Sequence, residues 1–209
     1  MSRFSSDFQS GLIDLMRWRR DVRRFRTDPV DEALLAQCLD TFLFAPSVGL
    51  SEPWRIISVD SDTARAAALD NFRETNARAL DGYSGDKAKL YSTLKLTGMQ
   101  EAPVQLAVFC DTATAKGAGL GALTMPEMRP YSVVAAITQF WLYARAQGLG
   151  VGWVSILDPA RLRRDLDLPG DWSLVAYLCV GWPEAFSDTP ELEQAGWEDR
   201  RGSIPLEVR

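Results

Sequence analysis

Five consecutive residues, Arg19-Arg20-Asp21-Val22-Arg23, hold the densest concentration of chemistry in the chain. Guanidiniums this close repel one another unless an anion or an acidic partner compensates them, and the planar fork of Arg suits bidentate binding of phosphate. A solvated basic face, paired with the abundant acids, is the other reading. A second stretch runs from Ala45 through Pro46, Ser47, Val48, Gly49, Leu50, Ser51, Glu52 and Pro53 to Trp54. Gly49 allows a ligand or a backbone to approach closely, although an ordinary helix-to-strand connection uses the same residue types. In the third stretch, Gly148 to Ser155, glycines alternate with apolar residues. They follow a helical pattern and enter a strand, the reverse of a dinucleotide-binding turn. Close approach of this backbone to a flat ligand stays open, and in a strand Ser155 faces away from Val154 and Ile156. The fourth stretch, Trp197 to Arg201, sets a cationic pair near the end of the chain, free either to return to an anion or to stay solvated.

Composition removes several alternatives. The 209 residues include no histidine, so Ser-His-Asp and Cys-His triads and His-ligated zinc sites are excluded. With 23 Lys+Arg against 28 Asp+Glu, the net charge of -5 argues against duplex nucleic acid as a partner. No phosphate-cradling glycine loop of the Walker type is present, no carboxylate spacing suggests a hydrolase pair, and no metal site is expected. Cys38, Cys110 and Cys179 lie in apolar stretches and read as buried thiols of a reducing compartment. The first residues lack the apolar core of a signal peptide, and no apolar run reaches the ~20 residues of a membrane span. A cytoplasmic protein is expected.

The elements that must position these residues follow from periodicity. Leu12, Leu15, Met16 and Trp18 predict a short amphipathic helix over about 8–19, and a second helix starts near Asp31 and stops before Pro46. Strands are expected at 55–59, 104–110, 151–157 and 173–181, and helices at 63–80 and 131–147. Asp158-Pro159 opens a short helix with a cap and a proline at its first position. Residues 81–94, polar and with two glycines, read as a mobile lid, and 116–130 as irregular. The stretch from Pro183 reads as an arm that wraps a neighbour. One domain, α+β or α/β with about four strands, accounts for this order, with 183–209 as its arm.

Taken together, the four stretches resemble the nitroreductase family of flavin enzymes over roughly residues 12 to 205. The order matches: R-R-x-x-R, then A-P-S-x-x-x-x-x-P-W, a long central helix, a G-x-G-x-G strand entry and a late Arg. RRDVR, APSVG, Met125-Pro126-Glu127, the run from Arg129 to Leu157 and GWPE are similar to a branch that consumes its flavin. Asp21 and Leu50 stand where general members usually have Ser and Asn, and Glu52 where Gln is common. The resemblance implies an α+β fold, with a central mostly antiparallel sheet flanked by helices, in an intertwined homodimer with flavin at the interface. It implies reduced FMN as substrate, fragmented with molecular oxygen to 5,6-dimethylbenzimidazole and erythrose 4-phosphate. A separate flavin reductase using NAD(P)H would supply that FMN, and neither metal, nucleic acid nor membrane would take part. By the same resemblance Arg19, Arg20 and Arg23 grip the phosphate, with Arg200 or Arg201. Pro46, Ser47, Val48, Gly49 and Leu96 line the flavin, and Asp21 and Ser155 are catalytic. Two other functions remain open: an FMN-dependent nitro- or quinone reductase that retains its flavin, and a non-catalytic flavin-binding module.

Overall fold

A computed structural model describes residues 3–209. Four strands, β1 (Trp54–Ser58), β2 (Val104–Asp111), β3 (Gly150–Val154) and β4 (Trp172–Gly181), form a sheet in the order β1-β2-β4-β3 among the described residues. Every pairing in it is antiparallel. The helices are α1 (Ser6–Trp18), α2 (Glu32–Asp40), α3 (Asp62–Leu80), α4 (Gly85–Thr93), α5 (Met128–Ala146), α6 (Pro159–Asp165) and α7 (Glu191–Gln194). This is the α+β architecture expected from the sequence.

The sheet has two buried faces, which explains why β2 and β4 read as nearly continuous apolar runs. Along β2, Leu106, Val108 and Cys110 join a core with α5 and α2, through Ile137, Phe140 and Cys38. The alternate residues Ala107 and Phe109 join a second core that holds Ala68 and Phe72 of α3 and Leu162 of α6. This period of two is the side-chain alternation of a strand. All three cysteines are free and buried, and burial pushes the Cys38 and Cys110 thiols up to about 11, leaving them protonated packing groups.

The helix starts follow their caps. Asp31 accepts from the Leu34 amide at 2.9 Å, Ser61 from Ala64 at 3.2 Å and Asp158 from Arg161 at 2.9 Å. Helix α2 gives way to a 3-10 turn at Thr41–Phe44 before Pro46 is reached. The polar stretch 81–94 is helical over α4, where Tyr91 is buried and its hydroxyl donates to Asn76 Oδ1 of α3 at 2.6 Å. The stretch expected to be a lid therefore holds a helix that meets α3 through Tyr91, with little apolar periodicity to read. Strand β3 stops at Val154, so Ser155 lies beyond the strand expected to carry it. The cause is Asn71, fully buried on α3. Its side chain donates to the Asp158 carbonyl at 2.9 Å and accepts from the Asp158 amide at 2.7 Å, drawing the chain off the sheet.

The alternating glycines of β3 serve the protein's own backbone. Residues 21–25 cross beside β3, where the Val22 amide donates to the Val151 carbonyl at 3.1 Å and Asp21 bridges Val151 in parallel. A Cβ on Gly152 would lie 2.1 Å from the Val22 carbonyl oxygen. The flat neighbour left open by the sequence is thus the Val22 peptide. Gly152→Ala should force these segments apart and destabilise the fold by about 2–3 kcal/mol or more. A urea-unfolding midpoint that stays at the wild-type value would refute this packing.

Candidate active site

The crossing at β3 places residues Arg20–Arg24 along one wall of a cleft of about 430 Å³. Trp18, Arg20, Asp21, Arg23, Trp141 and Arg145 line it, and residues 184–195 close the opposite side through Glu184, Phe186 and Glu191. The arginines divide into two groups. Arg17, Arg23, Arg24 and Arg26 each meet a carboxylate, Asp14, Asp21, Glu191 and Asp28 respectively, so the paired-basic-face reading holds for them. Arg19 and Arg20 have no carboxylate within ion-pair distance among the described residues. The Arg19 guanidinium lies 4.6 Å from the centre of the Trp141 ring, a cation–π contact that leaves its charge in place. Arg20 donates through Nε to the Asp188 carbonyl at 2.8 Å and through Nη1 to the Arg19 carbonyl at 2.7 Å.

Burial lowers the pKa of both guanidiniums, and the charge of Arg200 lowers both further, with Asp21 opposing at Arg19. Arg200 and Arg201 are both exposed. Arg23 is held from two sides, donating through Nε to Asp21 Oδ2 at 2.8 Å and through Nη1 to the Lys95 carbonyl at 3.1 Å. The next residue, Leu96, packs against the second core.

Asp21 Oδ1 accepts from the Trp153 amide at 2.8 Å. Burial raises the Asp21 pKa and outweighs the Arg23 charge and the two hydrogen bonds, which lower it. A carboxyl so placed can take or release a proton closer to neutrality than an ordinary Asp. Ser155 follows Trp153 by two residues and is exposed, so the two residues expected to be catalytic share one end of β3.

The Pro46–Gly49 loop stands elsewhere. Val48 donates its amide to Ser132 Oγ at 3.0 Å on the first turns of α5, and Ser47 Oγ accepts from the Glu52 amide at 3.1 Å. Gly49 has φ +57°, and a Cβ there would lie 2.8 Å from the Leu120 carbonyl oxygen. Its conformation thus answers to loop packing. Glu52 is paired with Lys116, which offsets its charge. Ser132 and Trp141 stand nine residues apart on α5, about 14 Å of helix rise. Within one chain the loop and the arginine cluster sit toward opposite ends of that helix. The sequence reading missed Asp188, Glu191 and the Lys95 carbonyl, because two act through backbone atoms and the third pairs across 167 residues.

Comparison with known proteins gives the family. The Nitroreductase family model matches residues 16–182, and the chain belongs to that family. A protein of Rhodospirillum rubrum named 5,6-dimethylbenzimidazole synthase is 52% identical over 198 residues, 95% of this chain and 94% of that protein. A Rhodobacter capsulatus protein of the same name is 47% identical over 204 residues, 98% of this chain and 97% of that protein. Among solved structures, oxidized iodotyrosine deiodinase bound to FMN and 3-iodo-L-tyrosine superposes with a TM-score of 0.72 at 21% identity, covering 95% of this chain and 97% of that one.

The raised pKa of Asp21 has a consequence for stability. The native state retains a proton that the unfolded chain releases near the ordinary value of 3.8. Native proton binding exceeds unfolded binding in that window, so this group's contribution falls as pH rises from 3.8 through the raised native pKa. Urea titrations should show a downward slope above about pH 4 in the wild type that Asp21→Asn lacks. Identical pH profiles for the two proteins would contradict this.

Proposed function

We propose that the protein fragments reduced FMN with molecular oxygen, giving 5,6-dimethylbenzimidazole and erythrose 4-phosphate. The observation that carries the reading is the pair Arg19 and Arg20, half-buried guanidiniums without a carboxylate partner among the described residues, beside a carboxyl of raised pKa. Two guanidiniums with no ion-pair partner among the described residues fit a phosphate dianion, so the residues present suit FMN. Similarity to proteins named 5,6-dimethylbenzimidazole synthase supports fragmentation over simple flavin reduction.

Arg19, Arg20 and Arg200 would hold the phosphate, with Arg201 near the end of the same arm. Arg23 would act mainly through Asp21, fixing the carboxylate by its Nε bond. Pro46, Ser47, Val48 and Gly49 would line the ring system, with Leu96 on the side of Arg23. Reduced FMN supplies the electrons to oxygen and is itself the molecule cut. Asp21 would hold or move a proton at Oδ1 or Oδ2, and the Ser155 hydroxyl would donate a hydrogen bond from the end of β3. A separate NAD(P)H-dependent flavin reductase would supply the reduced FMN.

The separation of loop and arginines along α5 supports a homodimer in which a second copy brings its Pro46–Gly49 loop to the cleft. Exposed apolar residues support it too. Helix α1 buries none of its residues, and Phe44 and Leu123 are 76% and 80% exposed. Such surfaces on a soluble chain mark interfaces.

Photoreduced FMN admitted to air with the protein should yield 5,6-dimethylbenzimidazole by mass spectrometry. Asp21→Asn should keep FMN binding and cut product formation by about 100-fold or more, and Ser155→Ala should act in the same direction. Intact FMN after many oxidation cycles, with folded wild-type protein, would overturn the fragmentation reading and favour a flavin-retaining reductase. Full activity in both variants would overturn the assigned roles.

A further inference from the structure

Trp197 stands where the carboxyl-terminal arm meets α4. The arm forms the far wall of the cleft through α7, tied by Glu191 to Arg24. Gly196, with φ +72°, then turns the chain, and the Trp197 amide donates to the Leu192 carbonyl at 2.8 Å. The indole lands on an aromatic seat. It meets Tyr83 edge-on with centroids 5.4 Å apart and Tyr91 at 6.1 Å, and those two rings stack on each other at 4.9 Å. Lys87 of α4 covers the indole at 4.3 Å and donates from Nζ to the Trp197 carbonyl at 2.6 Å.

Three residues further on is Arg200. Residues 198–209 are exposed and form neither helix nor strand, so their own stretch does not fix that side chain. Three residues span at most about 11 Å of extended chain, so the seat of Trp197 limits where Arg200 can stand. Helix α4 is linked to the arginine site at its other end as well, because the chain leaving it reaches Lys95, whose carbonyl accepts from Arg23 at 3.1 Å.

We propose that Trp197 is a positioning residue: its seat on Tyr83, Tyr91 and Lys87 holds α4 and Arg200 together, so that capture of the FMN phosphate and ordering of α4 are one event. The inference rests on the phosphate reading of Arg19 and Arg20. It separates the roles of phosphate and ring. FMN should order α4 through Arg200 and Trp197, whereas riboflavin, with the same ring and no phosphate, should not.

Hydrogen exchange on the full chain, read by mass spectrometry over residues 83–94, tests this with oxidized FMN and with riboflavin. In the wild type FMN should slow exchange there and riboflavin should leave it unchanged. Trp197→Ala should lose the FMN-dependent protection and weaken FMN about tenfold, the size expected for losing an aromatic contact and a cation–π contact. Its riboflavin affinity should not change. Trp197→Phe should restore part of the protection. Lys87→Gln, which leaves the indole intact, should give a smaller loss in the same direction. Wild-type protection by FMN in Trp197→Ala, or equal protection by riboflavin and FMN in the wild type, would overturn the proposal. A fall in riboflavin affinity equal to that for FMN would also overturn it, since that marks a general structural defect. The phosphate reading fails separately, if the Arg19→Ala, Arg20→Ala double variant binds FMN as tightly as the wild type does.

Discussion

The crossing of residues 21–25 over β3 is the contact on which the site depends. One amide-to-carbonyl bond, Val22 to Val151, fixes its register, and the Asp21 carboxylate on the Trp153 amide fixes its depth. Glycines at 150 and 152 make the approach possible, since side chains there would collide with Val22. From this short crossing the neighbouring residues acquire their directions. Arg19 lies over Trp141, Arg20 turns toward the arm, and Arg23 folds back on Asp21. A surface loop with the same residues could not hold three guanidiniums in distinct orientations, because long side chains lose rotamer entropy when fixed. The sheet edge supplies that order.

Charge within the cleft is divided rather than diffuse. An overall charge of -5 conceals a stretch in which some arginines are neutralised by nearby acids and two are left to neutral acceptors. Carbonyl oxygens orient a guanidinium without cancelling its charge, so Arg20 stays oriented and cationic. Trp141 does the same for Arg19. The paired arginines serve geometry, with Arg23 steering Asp21 and Arg24 fastening the arm through Glu191. Both readings of the basic stretch describe part of it, and the division follows from which arginine finds a carboxylate in three dimensions.

That division marks where sequence reasoning stops. Periodicity and caps are local, so α5, α6 and the four strands were readable to within a few residues, as were the buried cysteines. Helix α4 was not, because its anchor is Tyr91 in contact with Asn76, a contact between two helices that carries no repeat. The end of β3 was not, because Asn71, more than eighty residues away, takes hold of Asp158. The glycine stretch was recognised as a place of close approach, but the sequence does not say what approaches. The arginine motif was legible as chemistry, whereas its sorting into paired and unpaired members depends on Glu191, Asp188 and Lys95, which fold back from distant segments. The arm reads as featureless because its order comes from Trp197 seated on another element's aromatic residues.

With no histidine in the chain, the proposed reading leaves proton handling to a carboxyl, Asp21, whose pKa is raised. Here burial raises the carboxyl's pKa while Arg23 and the Trp153 amide lower it, and burial is the larger effect. The opposing contacts keep the carboxyl from being a simple buried acid. They give each oxygen a donor, Arg23 Nε for Oδ2 and the Trp153 amide for Oδ1. On the proposed reading, a phosphate dianion at Arg19 and Arg20 adds negative charge nearby and favours the protonated form further. Substrate binding and proton uptake at Asp21 would then be linked through the same arginine stretch, with no additional titrating residue required.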